Sequence, residues 1–224
     1  MWNAQNKQQT VIFHDVNVPL GPISLRGELN VPPEASGVVL FAHGSGSSRL
    51  SPRNQYVAQV IRKAGLGTLL FDLLTPTEEA IDLQTRHLRF DITMLARRLV
   101  AATEWIKSRA ETAHLRIGYL GASTGAAAAL IAAAEFGNSI SAVVSRGGRP
   151  DLAGEALRTV TAPTLLIVGG LDEVVIRLNE EALAQLQCVK KLKIIFGASH
   201  LFEESGKLED VACLVANWFQ HYLC

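Results

Sequence analysis

The chain has 224 residues, of which 48% are hydrophobic, and its 21 basic and 21 acidic side chains give a formal net charge of zero. This composition is typical of a globular protein and excludes an intrinsically disordered chain. The balanced charge offers no basic surface for nucleic acid and no polybasic segment for a membrane, so we expect a small molecule as the partner.

The N-terminal section predicts two antiparallel strands, over Val11–Val18 and Ile23–Val31. The second segment alternates apolar and polar residues at a period of two, and the proline and glycine residues at 19–22 supply a turn before it. Pro32 and Pro33 then prevent further strand pairing. We therefore expect a hairpin at this end of the chain.

After the hairpin, short apolar runs alternate with longer helical patterns, which is typical of parallel strands covered by helices on both faces. The predicted parallel strands are Gly37–Ala42, Thr68–Leu73, Leu115–Leu120, Ala142–Ser145, Thr164–Val168 and Leu192–Phe196. The predicted helices are Pro52–Ala64, Asp91–Ala110, Ser123–Phe136, Val175–Leu186 and Leu208–Leu223. Together with the hairpin, this pattern predicts an α/β fold with an eight-stranded, mostly parallel sheet, in a single domain over residues 1–224.

Residues 74–90 form the longest irregular stretch, and they follow the end of a predicted strand. Two interpretations remain open: the stretch is a short lid over a site at that edge, or its charged side chains form a solvated face. The strands and helices use nearly all of the remaining chain, so we expect no cap domain and a shallow, open pocket.

Three further observations argue against a membrane protein and a secreted protein. Residues 117–134 carry no charge, but their alanines, glycines and central hydroxyl residues predict a strand, a turn and a buried helix rather than a membrane span. Residues 1–10 are polar and lack an apolar signal core, and the three cysteines form no CxxC pair. We expect a cytoplasmic protein without a disulfide framework, a metal site or a cofactor.

The sharpest local motif is Gly121-Ala122-Ser123-Thr124-Gly125, which follows one predicted strand directly and opens a helix. A strand that turns into a helix within about two residues strains the central residue and requires small residues two positions before and after it. The turn raises the Ser123 hydroxyl above the sheet, where the N–H of Thr124 can stabilise an oxyanion. The motif predicts Ser123 as a nucleophile; the alternative is a helix N-cap.

A serine hydroxyl needs a general base, and His200 is the best placed of the six histidines. It follows the last predicted strand, and catalytic groups in sheets of this kind collect at the carboxyl ends of strands. Asp172 follows the preceding strand and is the candidate acid that orients the imidazole, with Glu173 and Asp151 as alternatives. The chain order serine, aspartate, histidine is the one expected for this layout.

Two further loops are expected at the same edge. The loop after the first parallel strand begins with His43, a candidate substrate contact, and the N–H of Ser45 is the candidate second oxyanion donor. Arg146 and Arg149 follow the fourth parallel strand. They either clamp a carboxylate or phosphate of the substrate or pair with nearby acidic residues and fix their loop.

The motif around Ser123, the order of Ser123, Asp172 and His200, and the glycine-rich loop HGSGSS resemble the α/β-hydrolase family over essentially the whole chain. Within that family the chain is most similar to the dienelactone hydrolase group of small enzymes without a cap domain. The namesake enzymes of that group have a cysteine in place of Ser123 and a glutamate in the loop after the first parallel strand. The resemblance implies a three-layer α/β-hydrolase fold and a cytosolic, metal-free serine hydrolase; similar domains also occur fused to phosphoribosyltransferases.

These residues predict hydrolysis of small carboxylic esters or lactones through an acyl-enzyme on Ser123, with His200 as base and Asp172 as orienting acid. Two alternatives remain open. The same residues would also serve a thioesterase or an acyltransferase that passes the acyl group to a thiol, amine or alcohol, and the domain would alternatively bind a ligand without catalysis. The sequence does not indicate an oligomeric state.

Overall fold

The computed structural model describes residues 12–224, with side chains described from residue 15 onward. The polar segment 1–10 and the first residue of the first predicted strand, Val11, lie outside the described residues. Within the described part, no helix has both the length and the apolar character needed to cross a membrane.

One mixed sheet organises the described chain. Its strands are β1 (Ile12–Leu20), β2 (Ile23–Val31), β3 (Gly37–Ala42), β4 (Gly67–Phe71), β5 (Arg116–Ala122), β6 (Ile140–Arg146), β7 (Thr164–Gly169) and β8 (Lys190–Ile195). The spatial order is β1-β2-β4-β3-β5-β6-β7-β8. β1 pairs antiparallel with β2, and β2 pairs antiparallel with β4, whereas the remaining neighbours are parallel. The predicted hairpin and eight-stranded, mostly parallel sheet are confirmed.

Helices cover both faces of the sheet. They are α1 (Pro52–Lys63), α2 (Pro76–Thr85), α3 (Ile92–Ser108), α4 (Thr124–Phe136), α5 (Glu173–Gln185) and α6 (Lys207–Leu223). Short 3₁₀ segments lie at Leu88–Phe90, Gly137–Ser139 and Pro150–Thr159. The buried side chains form two clusters: one contains residues of α1 and α6, and the other residues of α3 and α4. This is the three-layer arrangement of the α/β-hydrolase fold, and no cap domain interrupts it within residues 12–224.

The alanine-rich α4 brings the sheet and a helix layer close together. Nine of its thirteen residues are buried, and α3 and the segment Pro150–Thr159 pack against it. Alanine combines high helix propensity with a small side chain, so the helix can lie near the sheet without leaving voids. This close packing fixes the N-terminus of α4, which carries the motif around Ser123.

The prediction of an irregular stretch over residues 74–90 is wrong in one respect, because most of these residues form the helix α2. The Thr75 hydroxyl accepts a hydrogen bond from the N–H of Glu78, and the Glu78 carboxylate accepts one from the N–H of Thr75, which forms a capping box. Pro76 occupies the first turn, where proline is favoured. The only buried residue of α2 is Asp82, so the helix lacks the apolar stripe by which a sequence pattern reveals a helix.

Candidate active site

Parallel strands that point in one direction bring their following loops to one edge of the sheet. At this edge lies an open groove of about 580 Å³. Its lining includes Ser123 after β5, Arg146 at the end of β6, His200 after β8, and residues 44–48 of the loop after β3. The candidate nucleophile and the candidate base therefore border one space, together with Ser45 and Arg146.

Ser123 lies at the turn between β5 and α4 in a strained backbone conformation, with φ +49° and ψ −122°. A Cβ on Gly125 would lie 2.1 Å from the carbonyl oxygen of Ala42, and one on Gly121 would lie 2.4 Å from the Cα of Ala126. Only glycine fits at either position, which is the steric requirement predicted for this turn. The Ser123 side chain makes no capping hydrogen bond to α4, so its hydroxyl remains available to a ligand in the groove.

The imidazole of His200 donates a hydrogen bond from Nδ1 to Oδ2 of Asp172 over 2.6 Å. The Asp172 side chain is 18% exposed and that of His200 is 40% exposed. The two alternative acids lie elsewhere: Glu173 is exposed in the first turn of α5, and the carboxylate of Asp151 pairs with Arg149. A carboxylate on Nδ1 leaves Nε2 as the atom that can take up a proton.

The loop that carries His200 is held in place by its neighbours. The Glu204 carboxylate accepts hydrogen bonds from the N–H of Ser199 over 3.0 and 3.1 Å. Hydrogen bonds from the side chain and then the backbone of Ser199 lower the pKa of Glu204. A Cβ on Gly169 would lie 2.4 Å from the carbonyl oxygen of Ser199, so the loops after β7 and β8 are in direct contact. Sequence reasoning missed Glu204; the available signal was an acidic residue four positions after the candidate base.

The side chains of Ser45 and Thr124, the residues of the two candidate oxyanion donors, lie side by side. The hydroxyl groups of Ser45 and Thr124 are 3.1 Å apart, and a Cβ on Gly44 would lie 2.8 Å from the Cβ of Ser123. The loop after β3 therefore passes directly against the nucleophile turn. This contact places the backbone of residues 44 and 45 beside Ser123.

His43, the candidate substrate contact of the loop after β3, binds backbone groups in this structure. Its Nδ1 donates to the carbonyl oxygen of Gly44 over 3.0 Å, and its Nε2 accepts from the N–H of Leu73 over 2.9 Å. Burial lowers the pKa of the imidazole, which keeps the ring neutral and able to accept that bond. Both ring nitrogens bind the backbone, so His43 joins the loop after β3 to the end of β4.

Arg149 also has a partner of its own. Its Nε and Nη2 donate to the two carboxylate oxygens of Asp151 over 2.9 and 2.8 Å, and its backbone N–H donates to the carbonyl oxygen of Ser123 over 3.0 Å. This bidentate pair holds the guanidinium against an acidic residue of its own loop. Arg149 fixes its loop against the nucleophile turn, which is the second of the two interpretations that the sequence left open.

Arg146 differs from Arg149 because its side chain is buried in the groove wall, where it is only 8% exposed. Its Nη2 donates to Oδ1 of Asn54 over 2.8 Å. It lines the same groove as Ser123 and His200. Its Nη1 is buried and has no hydrogen-bond partner among the described residues.

A smaller cavity of about 90 Å³ lies on the other side of the loop after β3. Its lining includes the side chains of Leu73, Leu83, Leu95 and Thr124. Leu83 belongs to α2, so this helix forms part of the cavity wall. Most residues of α2 are exposed, and the lid over the site stays a prediction. The cavity is more apolar than the groove and does not include Ser123 or His200.

Ion pairs hold the lid segment in place. The Glu78 carboxylate binds the Nη1 and Nη2 atoms of Arg98 on α3 over 2.8 and 2.5 Å, and the hydrogen bonds from Arg98 lower the pKa of Glu78 to about 2. The buried Asp82 carboxylate pairs with Nε of Arg89 over 2.5 Å. Three of the charged groups of this stretch, those of Glu78, Asp82 and Arg89, are therefore used to fold and anchor it. Within the described residues, no group of three or more histidine, cysteine, aspartate or glutamate side chains is arranged to hold a metal ion.

Comparisons with known proteins agree with this architecture. The model of the dienelactone hydrolase family matches residues 27–223. The crystal structure of a dienelactone hydrolase from Anabaena variabilis is 61% identical to this chain, with a TM-score of 0.94, and the match covers 96% of this chain and 99% of that chain. Est1E from Butyrivibrio proteoclasticus shares the fold at 17% identity, with a TM-score of 0.78 and coverage of 93% and 98%.

Longer proteins contain a similar region. A Mycobacterium tuberculosis protein named as a putative phosphoribosyl transferase is 55% identical over 210 residues, which make up 94% of this chain and 46% of that protein. The chain thus spans about half the length of the curated relatives it matches.

Proposed function

The chain belongs to the dienelactone hydrolase family, and from this membership we propose that it is a serine hydrolase of small carboxylic esters or lactones. The observation that carries the proposal is the 2.6 Å hydrogen bond between His200 and Asp172 in a loop pair that borders the same groove as Ser123. The hydrolase family model matches nearly all of this chain, so the proposal does not include a phosphoribosyl transferase activity.

In the proposed mechanism, the Ser123 hydroxyl attacks the ester carbonyl while Nε2 of His200 accepts its proton. Asp172 holds the imidazole in the correct tautomer and stabilises the imidazolium. The N–H groups of Thr124 and Ser45 donate hydrogen bonds to the oxyanion of the tetrahedral intermediate. His200 then protonates the leaving alkoxide, and water deacylates the enzyme by the same steps in reverse.

The shape of the site supports small substrates and water as the acyl acceptor. No cap domain covers the groove within residues 12–224, and the His200 side chain is 40% exposed, so bulk water can reach an acyl group on Ser123. A dedicated acyltransferase excludes water from this position. Partition of the acyl-enzyme between water and an added alcohol at low concentration measures the difference, and transfer of most acyl groups to the alcohol would contradict hydrolysis.

The decisive substitution is Ser123→Ala, which removes the nucleophile without adding bulk. We expect it to abolish hydrolysis of p-nitrophenyl acetate and labelling by a fluorophosphonate probe, because the acyl-enzyme can no longer form. Ser47→Ala is the matched control, since Ser47 lines the same groove and has no role in the proposed mechanism. Equal activity of a folded Ser123→Ala protein, or failure of the unsubstituted protein to label, would overturn the proposal.

A further inference from the structure

The loop after β3 carries the N–H of Ser45, one of the two proposed oxyanion donors, on a glycine-rich backbone. Gly44 and Gly46 flank Ser45, and Gly46 lies in the left-handed region at φ +68°. Glycine gives a backbone more conformational freedom than any other residue. An oxyanion donor must lie about 2.7–3.1 Å from the reacting oxygen, so a donor on such a loop has to be held in place by other contacts.

Side chains fix the two ends of this loop. At its start, both ring nitrogens of His43 bind backbone groups, and one of these is the carbonyl oxygen of Gly44 at 3.0 Å. At its other end, Nδ2 of the buried Asn54 donates to the carbonyl oxygen of Ser48 over 3.2 Å. Neither contact reaches Ser45 itself, which lies between the two anchored ends.

A hydrogen bond between two hydroxyl groups joins the centre of the loop to α4. Oγ of Ser45 lies 3.1 Å from Oγ1 of Thr124, and Thr124 is only 2% exposed. The Ser45 hydroxyl makes a second, longer contact of 3.5 Å with the carbonyl oxygen of Arg89, to which a hydroxyl can only donate. In this arrangement the Thr124 hydroxyl donates to Ser45. The two residues whose N–H groups are the proposed oxyanion donors are therefore linked side chain to side chain.

Arg89 supports the same loop from its outer side. A Cβ on Gly46 would lie 3.7 Å from Nη1 of Arg89, so the guanidinium packs over the loop next to Ser45. The backbone N–H and Nε of Arg89 donate to the two carboxylate oxygens of Asp82 over 3.1 and 2.5 Å, and Asp82 is buried in α2. The loop is thus held between Thr124 on one side and an anchored arginine on the other.

We propose that the hydroxyl groups of Ser45 and Thr124 are positioning groups of the oxyanion hole, because their hydrogen bond fixes the two backbone donors relative to each other before the substrate binds. This inference rests on the proposed serine hydrolase function. Preorganised donors need no reorganisation when the oxyanion forms, so the bond lowers the barrier of the chemical step and contributes little to binding of the intact ester. Ser123 and His200 still carry out every covalent and proton-transfer step.

A double-mutant cycle tests the link without removing either backbone donor. Ser45→Ala and Thr124→Val each delete one hydroxyl, and valine keeps the shape of the buried threonine. We expect each substitution to lower kcat for phenyl acetate by about tenfold with little change in KM, since acylation and deacylation both pass through an oxyanion. The double variant should lose no more than the weaker single variant, because all three lack the same bond. Thr124→Ser keeps a hydroxyl and should retain most of the activity.

A ketone analogue of the transition state reports on the oxyanion hole directly. 1,1,1-Trifluoro-3-phenylpropan-2-one has the shape of phenyl acetate, and addition of Ser123 to its carbonyl forms a tetrahedral adduct whose oxyanion occupies the same donors. We expect its inhibition constant to rise, in each variant, by the factor by which kcat/KM for phenyl acetate falls.

The free energy of unfolding separates positioning from a purely structural role. Ser45→Ala leaves the buried Thr124 hydroxyl without its partner, whereas the double variant removes both groups, so stability should recover in the double variant while activity does not. Tyr119→Phe is the matched control, because it breaks a different buried hydroxyl pair, that of Tyr119 with Thr103 at 2.6 Å. It should lower stability and leave the inhibition constant of the ketone unchanged.

Unchanged kcat and inhibition constants in Ser45→Ala and Thr124→Val would overturn the inference while hydrolysis by these variants sustains the proposed function. Losses of kcat that add in the double variant, or that disappear when its stability recovers, would also overturn it. If Thr124→Val does not fold, the inhibition constants of Ser45→Ala and Thr124→Ser decide the question. Absence of both ester hydrolysis and fluorophosphonate labelling in the unsubstituted protein would overturn the proposed function itself, and the inference with it.

Discussion

At the scale of single residues, the atoms around Ser123 set its backbone conformation, which a serine by itself does not favour. A non-glycine residue at φ +49° and ψ −122° carries backbone strain of about 1–3 kcal/mol. The packing of Gly121 and Gly125 against neighbouring backbone maintains this conformation. The strain was predictable from the sequence, because all the residues that cause it lie within one short motif between a strand and a helix.

The contact between Asp172 and His200 leads to a quantitative expectation. Asp172→Asn keeps the shape of the side chain but stabilises the wrong tautomer of the imidazole and no longer stabilises its cation. We expect kcat for p-nitrophenyl acetate to fall by about 10³- to 10⁴-fold, with little change in the free energy of unfolding. Glu173→Gln is the control, since Glu173 is exposed. The same loss in both variants, or no loss in Asp172→Asn, would contradict the assignment.

His43 predicts a dependence of stability on pH. Burial lowers its pKa from the ordinary value of 6.5, so the unfolded chain takes up a proton that the folded protein resists. The stabilisation is therefore complete above about pH 6.5 and is lost as the pH falls through the interval down to the lowered pKa. We expect the free energy of unfolding in urea to fall more between about pH 7.5 and about pH 5.5 in the unsubstituted protein than in His43→Gln. Equal pH dependence in the two proteins would refute this.

The two arginines of the loop after β6 show what residue patterns leave undecided. Arg146 and Arg149 are three positions apart and share the same chemistry, yet one is buried against Asn54 and the other pairs with Asp151. Asp151 lies two positions after Arg149, so that pair was visible in the local sequence, whereas nothing local indicated the partner of Arg146. The difference arises because Asn54 belongs to α1, a helix that reaches Arg146 only in the folded molecule.

At the scale of elements, α2 shows how a helix can form without an apolar stripe. Its stability comes from the capping box of Thr75 and Glu78 and from the ion pair of Glu78 with Arg98 on α3. The capping residues were visible in the sequence, but the ion pair joins residues twenty positions apart. The choice between a lid and a solvated face depends on such contacts, so pattern alone could not make it.

Glu78→Gln tests how far this anchoring stabilises the lid segment. The substitution removes the carboxylate that binds the buried Arg98, and we expect the free energy of unfolding at neutral pH to fall by about 1–3 kcal/mol. Because the pKa of Glu78 is lowered from 4.5 to about 2, the ionised carboxylate stabilises the fold above about pH 4.5 and this contribution is lost as the pH falls towards 2. The difference from the unsubstituted protein should therefore shrink at acidic pH. Glu79→Gln, which changes an exposed neighbour, should change stability by less than about 0.5 kcal/mol.

At the scale of the whole molecule, strand order decides which functional groups meet. Asp172 and His200 contact each other because β7 and β8 are adjacent and parallel, so their following loops touch. The groove extends to Ser123 because β5 lies two strands from β7. Between β5 and β7 lies β6, which carries Arg146. The apolar runs predicted the strands themselves, but they carry no information about which strands are neighbours.

The sequence by itself determined the α/β alternation, the hairpin, the strained turn at Ser123 and the family to which the chain is similar. Each of these depends on periodicity, steric fit or spacing within a short segment, and local geometry is what a sequence records directly. The tertiary structure alone decided that Asp172 is the acid in contact with His200 and that Arg146 is buried against Asn54. Those outcomes depend on which loops face each other and on which charges lose their water, and both are set only when the sheet and its helices pack together.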